Sequence, residues 1–156
     1  MAIAGDWQVA RRLSRVPHPY TAEDARFFLD HVVTTEATWA MILKATQAMV
    51  GAVGLTRRTE GTAELGYYVG QPHWGRGYAS ESAAAVVNHG FTKLGLSLIV
   101  GGFFADNPAS GQVLLKLGFE VTGAGERFSM ATGTAMPSVE VELTRERWER
   151  FRTGLK

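Results

Sequence analysis

The 156-residue sequence contains no cysteine, which excludes a disulfide scaffold, a cysteine-ligated zinc site and a cysteine nucleophile. Charge of one sign is not in excess either, because 16 lysines and arginines face 15 aspartates and glutamates, a formal net charge of +1. Neither nucleic acid nor a membrane is therefore indicated as a partner. No apolar run approaches the roughly 18 residues of a membrane span, and the first residues lack the apolar stretch of a secretory signal. These absences favour a cytoplasmic protein.

The composition that is present is typical of a globular domain, with 46% hydrophobic and 20% charged residues. The length predicts a single domain over residues 1–156, large enough to bury a core without disulfides or metal. No metal site is predicted.

Short apolar runs and helical stripes follow one another along the chain. Three runs come first, separated by short turns, which predicts antiparallel strands. A helical stripe then separates the third strand from the fourth by enough residues to make those two parallel. The predicted strands cover residues 38–44, 48–58, 63–70, 96–105, 119–123 and 138–144, and the predicted helices cover 22–33, 79–94, 108–117 and 145–152.

This order of elements predicts an α+β fold with a mixed, mostly antiparallel central sheet flanked by helices. Thr21 and Thr144 stand where they would cap the first and last of these helices. We expect Phe27 and Phe28 to belong to the core, with a substrate cage as the alternative. Residues 126–137 are expected to form a loop, with a ragged hairpin as the alternative.

Two glycines, Gly75 and Gly77, stand between the third predicted strand and the next helix. Glycine lets the backbone approach a ligand closely, and the first N–H groups of a helix are unpaired and partly positive. Such a segment is able to hold a phosphate, with Arg76 adding positive charge. An ordinary turn is the alternative, and the spacing alone does not separate the two.

Two nucleotide-binding motifs do not fit this segment. A P-loop requires lysine and then serine or threonine after its last glycine, where this chain has Tyr78 and Ala79. The dinucleotide fingerprint requires a third glycine or alanine, where Ser80 stands, and an acidic residue about 20 positions later, where the chain is apolar.

Two segments together resemble the GNAT superfamily of acetyl-CoA-dependent N-acetyltransferases. They are GYYVGQPHWGRGYASE at residues 66–81 and ADNPASGQVLLKLGF at residues 105–119. The run Trp-Gly-x-Gly-Tyr-Ala resembles more narrowly the Rim-type branch, which acetylates the N-termini of ribosomal proteins. In the second segment, Asn107 and Ser110 followed by Lys-Leu-Gly-Phe match the family pattern, and the resemblance runs from about residue 17 to residue 143.

The resemblance implies acetyl-CoA as the co-substrate. The amides of residues 76–80 suit its pyrophosphate, and residues 67–70 would offer free amides to its pantetheine arm if their strand splays from its neighbour. The residues expected to bind the cofactor are Tyr67, Tyr68, Val69, Trp74, Gly75, Arg76, Gly77, Tyr78, Ala79, Ser80, Asn107 and Lys116.

The reaction implied is acetyl transfer to a primary amine, either a protein N-terminus or a small amine. Without cysteine, direct attack in a ternary complex is the simpler route. Many family members carry a tyrosine where this chain has Leu114, so the resemblance implies Ser110 as the acid for the leaving thiolate. A plain hydroxyl in the first turn of a helix is the alternative for Ser110. Glu64 is a candidate base acting through water, and an exposed strand carboxylate is its alternative.

The segment before residue 17 is short compared with the family, and no convincing first strand is visible in it. Either the sequence starts late or the sheet lacks its N-terminal edge strand, and a missing edge strand is the expectation. An unpaired edge invites a second copy, so a homodimer is expected. A non-catalytic acyl-CoA-binding or sensor module of the same fold remains the alternative function.

Overall fold

A computed structural model describes residues 3–154 of the chain. One six-stranded sheet forms the centre of these residues, in the order β1-β2-β3-β4-β6-β5. All neighbouring strands are antiparallel except β3 and β4, which are parallel. The strands are β1 Ala37–Ile42, β2 Met49–Thr59, β3 Thr62–Val69, β4 Leu98–Phe104, β5 Glu120–Ser129 and β6 Thr134–Thr144. The predicted α+β class and the mostly antiparallel sheet are confirmed.

Helices flank this sheet on the described residues. They are α1 Trp7–Ala10, α2 Ala22–Phe27, α3 Val33–Thr35, α4 Tyr78–Thr92, α5 Pro108–Lys116 and α6 Arg145–Thr153. Both predicted caps form, since the hydroxyl of Thr21 accepts from the Asp24 amide and that of Thr144 from the Arg147 amide. Among the described helices, none combines the length and the apolarity needed to cross a bilayer.

The core lies between α4 and the sheet. The buried stripe of α4 includes Val87 and Phe91, and the sheet supplies fully buried side chains such as Ile99 and Leu143. At Gly90, an added Cβ would lie 3.0–3.1 Å from the side chains of Leu55, Ile99 and Leu96. The missing side chain at this position therefore lets α4 pack close to the strands.

Strands β3 and β4 pair only at their beginning. Thr62 to Glu64 pair with Leu98 to Val100, and the described pairing of these two strands ends there. The splay on which the expected pantetheine contacts depend is therefore present, and residues 65–69 lack a neighbouring strand on this side. The gap between the two strands opens a groove in the middle of the sheet.

The expected place of one helix face is wrong. The apolar residues of segment 22–33 do not reach the core: Phe27 is 59% exposed, and the helix widens into a π-helical turn over Phe28–Val32. In segment 126–137 the hairpin alternative is correct and the loop is not, because β5 continues to Ser129 and β6 already begins at Thr134. A tight turn that ends at Gly133, with φ of 69°, joins the two strands.

No strand precedes β1 within residues 3–154, as expected from the sequence. The two edges of the sheet are β1 and β5. The homodimer stays a prediction.

Candidate active site

The groove between β3 and β4 is a cavity of about 700 Å³, which is within the range of small-molecule sites. Strand β3 forms one wall, α5 another, and the turn before α4 closes one end. The predicted residues that line it are Glu64, Tyr67, Tyr68, Val69, Trp74, Gly75, Gly77, Tyr78, Ala79, Ser80, Asn107, Ser110 and Lys116. Arg76 is exposed and does not line the groove.

The turn before α4 presents unpaired backbone amides to this groove. Gly75 and Gly77 have φ of 72° and 82°, a region that favours glycine, and an added Cβ at either would meet nothing within 4 Å. Gly77 is the N-cap of α4 and gives no side-chain cap, so the first-turn amides remain available. Because the helix dipole adds partial positive charge there, this end of the groove is suited to an anion.

His73 supplies a second sign that the groove is built for a ligand. Its Nδ1 atom is the one buried side-chain nitrogen or oxygen of the described residues that has no hydrogen-bond partner. Buried polar groups are nearly always paired, so an unpaired one beside a cavity calls for a partner from outside the chain.

Trp74 lines the groove and also holds the glycine turn against β3. Its indole Nε1 donates to the carbonyl of Val69 at 2.6 Å. The Arg12 guanidinium lies 4.9 Å from the indole ring, and Arg11 pairs with Asp106 at 2.6 Å. The segment after α1 is thereby tied to both ends of the groove, a connection with no signal in the sequence.

Tyr67 brings a second hydroxyl to Ser110. Its phenol oxygen lies 2.9 Å from Ser110 Oγ and donates to the Ser110 carbonyl at 3.0 Å. Burial raises the pKa of Tyr67 to about 12, against a lowering by the Ser110 bond, so the phenol keeps its proton at neutral pH. From the sequence, only the backbone of Tyr67 was expected to take part, as an amide for the pantetheine arm. The period-two alternation of β3 places the Tyr67 side chain with Leu65 on the face covered by helices, and this pattern could have indicated the contact with α5.

Asn107 and Leu114 mark the two ends of the matched family pattern on α5. Asn107 occupies the N-cap position, but its side chain makes no capping hydrogen bond and lines the groove. Leu114, which stands where many family members have tyrosine, is 1% exposed in the core.

Glu64 is not the exposed carboxylate offered as its alternative, since its side chain is 14% exposed. It pairs with Arg58 and Arg127, and Arg127 also pairs with Glu140. Burial raises the pKa of Glu64, but the bonds from Arg127 and Arg58 outweigh burial and leave that pKa below its ordinary value. The side chain is thus held as an anion. The pairing of Glu64 with Arg127 joins residues that are far apart in the sequence, and no sequence pattern predicted it.

A second cavity of about 370 Å³ lies on the other side of β3. Its aromatic lining includes Tyr20, Phe27, Phe28 and Tyr68, and we call it the aromatic cavity. It shares Tyr67 and Tyr68 with the groove, so the two spaces meet at β3. The two phenylalanines expected in the core belong to this cavity instead.

Within residues 3–154, no group of three or more histidine, aspartate or glutamate side chains is arranged to hold a metal ion.

The chain is similar to known acetyltransferases in both sequence and fold. The acetyltransferase (GNAT) domain family matches residues 1–120. An uncharacterized N-acetyltransferase of Bacillus subtilis, YoaA, is 37% identical over 98 residues, which is 62% of this chain and 55% of that protein. A ribosomal-protein-serine acetyltransferase of Escherichia coli is 33% identical over 85 residues, 53% of this chain and 47% of that one. The chain spans about half the length of the curated relatives it matches.

Solved structures share the fold at low sequence identity. A GNAT-family acetyltransferase from Bacillus anthracis superposes with a TM-score of 0.81 at 23% identity, covering 92% of this chain and 86% of that one. A spermidine N-acetyltransferase from Vibrio cholerae, solved with CoA and spermine, gives 0.80 at 16% identity, covering 95% and 89%. The family match over residues 1–120, together with this fold, shows that the chain belongs to the GNAT acetyltransferase family.

Proposed function

We propose that the protein transfers an acetyl group from acetyl-CoA to a primary amine by direct attack in a ternary complex. The observation that carries the proposal is the groove, where the gap in the sheet, the glycine turn and the Tyr67–Ser110 pair meet. The family uses acetyl-CoA as co-substrate, which supplies the activated acetyl group when it is bound.

The groove fits that co-substrate along its length. The first-turn amides of α4 and the two positive-φ glycines suit the pyrophosphate. Backbone groups of β3 beyond Glu64 are free to pair with the pantetheine arm as a strand would, and Asn107 faces the same space. By resemblance to the family, we assign the stabilisation of the developing oxyanion to an N–H of residues 67–69. Lys116 and Arg76 would add positive charge near the phosphates.

Ser110 is our candidate for the acid that protonates the leaving sulfur. The neutral Tyr67 phenol beside it carries one proton, which points to the Ser110 carbonyl when the serine donates to the phenol oxygen. We propose that this proton turns to Ser110 Oγ as the serine gives up its own proton. Ser110 and Tyr67 together would take over the role of the tyrosine that many family members carry at the position of Leu114. Ser110 and the Trp-Gly-x-Gly-Tyr-Ala run also support assignment to the Rim-type branch, as does the partial match to the Escherichia coli ribosomal-protein-serine acetyltransferase.

Glu64 is proposed as a base that accepts the proton of the amine through water. Its two arginine partners keep it anionic, which leaves it free of a proton but weakly basic. We therefore expect most of the deprotonation to depend on the surroundings of the amine itself.

Release of free CoA thiol tests the proposal directly, and the absence of protein cysteine leaves no background thiol. A panel of small primary amines and N-terminal peptides should release CoA with at least one acceptor. Binding of acetyl-CoA without turnover on every acceptor would support a non-catalytic acyl-CoA-binding module instead.

The glycine turn gives a matched binding test. Gly77→Val should abolish acetyl-CoA binding measured by calorimetry, because valine is strained at φ of 82° and would project from the turn. Gly123→Val is the control, since Gly123 lies in β5 with open space around it and without positive φ. Wild-type affinity in Gly77→Val would contradict the assignment of this turn.

A further inference from the structure

We propose that the acceptor is a small primary amine with an arylalkyl body, and that this body binds in the aromatic cavity. The inference rests on the acetyl transfer proposed above and names the substrate class of that site. Four observations support the inference: the position of the aromatic cavity, the partners of its carboxylates, the protonation of an amine beside it, and its volume.

The position of the aromatic cavity connects it with the reacting end of the groove. Both spaces are lined by Tyr67 and Tyr68, on opposite sides of β3. The hydroxyl of Tyr67 also contacts Ser110. A molecule whose ring fills the aromatic cavity would therefore extend its amine towards the residues proposed for acetyl transfer.

The carboxylates that border the cavity are already engaged. Glu36 accepts from Arg15 at 2.9 Å and from Thr56 at 2.6 Å, and Asp24 accepts from the amide and hydroxyl of Thr21. Burial raises the pKa of Glu36, but the Arg15 and Thr56 bonds outweigh it, so that this pKa lies below its ordinary value. Arg15 neutralises Glu36, so Asp24, whose partners at Thr21 are uncharged, is the one unneutralised carboxylate among the described residues that line this cavity. A polyamine, which carries several ammonium groups, is therefore disfavoured.

Binding of the ring also affects the amine that it carries. A ring that fills the aromatic cavity displaces water beside the amine, and loss of hydration lowers the pKa of an ammonium group, so the neutral nucleophile becomes more abundant. Burial raises the pKa of Tyr68 and of Tyr20, with the Asp24 charge raising that of Tyr20 further, so both phenols stay uncharged. Their hydroxyls offer polar contacts without stabilising the ammonium by charge.

The size of the cavity favours a small molecule over a peptide. A volume of about 370 Å³ lies near the lower end of ligand pockets, about 300–1,000 Å³. A single ring with a short alkyl chain fits this space, and 2-phenylethylamine is the simplest probe of that shape.

The test compares three acceptors at saturating acetyl-CoA: 2-phenylethylamine, spermidine and a short peptide with an N-terminal phenylalanine. We expect kcat/KM for 2-phenylethylamine to exceed that of the other two at least tenfold. Phe27→Ala should raise the KM for 2-phenylethylamine about fivefold while kcat stays within about twofold, because Phe27 lines the cavity away from Ser110. Phe128→Ala is the matched control: Phe128 is 58% exposed against 59% for Phe27, and it lines neither cavity.

Each other outcome has a definite meaning. A preference for spermidine or for the peptide overturns the substrate class and leaves acetyl transfer intact. Equal KM values in Phe27→Ala and Phe128→Ala overturn the aromatic cavity as the binding site. Acetyl-CoA binding by calorimetry without CoA release on any acceptor removes the proposed function, and this inference with it.

Discussion

At the residue scale, the contact between Tyr67 and Ser110 is the most informative in the groove. The two side chains come from β3 and α5, 43 positions apart in sequence, and their hydroxyls lie 2.9 Å apart. The position on α5 where a tyrosine is common in the family holds Leu114, a core residue. The tyrosine that reaches the groove therefore comes from the sheet, as Tyr67 of β3, and not from α5.

Removing either hydroxyl should slow the reaction. We expect Ser110→Ala to lower kcat about 100-fold, in line with the loss of a positioned acid, with little change in acetyl-CoA affinity. Tyr67→Phe should lower kcat about tenfold, and the double variant should resemble Ser110→Ala because the two groups act together. Steady-state kinetics with calorimetry measure both quantities.

Ser97→Ala serves as the control, because it removes a hydroxyl that donates to Gly61 outside both cavities. An unchanged kcat in Ser110→Ala would rule out the serine as the acid.

At the scale of secondary-structure elements, the close packing of α5 on β4 holds Asn107 and Ser110 at the groove. Gly111 makes this packing possible, since an added Cβ would lie 2.5 Å from the ring of Phe103. Such a separation is far below van der Waals contact, and the ring is held within a strand. The distance between this helix and the sheet is therefore set by a missing side chain.

Gly111→Ala should push α5 away from β4. We expect a loss of about 1 kcal/mol in the free energy of unfolding, since overpacking costs about 1–3 kcal/mol and alanine returns up to about 1 kcal/mol of helix propensity. Urea denaturation measures this loss, and kcat should fall as Ser110 moves from Tyr67.

Gly123→Ala is the matched control, with open space around the new methyl group. Equal stability in the two variants would show that the helix accommodates the methyl group without moving.

At the scale of the whole molecule, Arg127 joins strands on both sides of the gap in the sheet. It lies on β5, passes over Gly102 of β4 and pairs with Glu64 of β3, while it also pairs with Glu140 of β6. An added Cβ at Gly102 would lie 2.5 Å from the guanidinium, so glycine leaves the room for this crossing. The ion pairs therefore connect the two halves where backbone pairing has ended.

The pH dependence of stability should report on this network. Glu64 and Glu140 have folded-state pKa values below the ordinary 4.5, so their contribution is complete above that pH and is lost as pH falls through the folded values. Arg127→Met should cost about 2 kcal/mol at pH 7, between the values for exposed and buried pairs, and should flatten the decline below about pH 4.5. Chemical denaturation at a series of pH values measures both effects.

Arg57→Met is the control, an exposed arginine of β2 that forms no ion pair within the described residues. If the two variants showed the same pH profile, the Arg127 network would have no part in acid stability.

Features that depend on local sequence patterns could be predicted. Hydrophobic period, turn residues and connection length determine the order of the elements along the chain, the parallel pairing of β3 with β4, and the caps at Thr21 and Thr144. The glycine turn was recognisable because Gly75 and Gly77 stand beside a helix start.

Contacts between distant segments could not be predicted in this way. The placement of Arg127 over Gly102 depends on the order β4-β6-β5, and the exposure of Phe27 depends on where its helix lies against β2 and β3. The sequence pattern of an apolar helix face is the same whether the face covers a core or lines a cavity. For this reason periodicity alone predicted a core position for Phe27 and Phe28.

The gap between β3 and β4 also couples binding to folding. In the free protein, backbone groups of residues 65–69 that would pair with a neighbouring strand face the groove instead. A ligand that occupies this space adds its contacts to the native state alone, so the equilibrium shifts towards the folded chain in proportion to the logarithm of ligand concentration. If the co-substrate binds in this gap as proposed, it would take the place of the absent strand pairing and join the two halves of the sheet while it is bound.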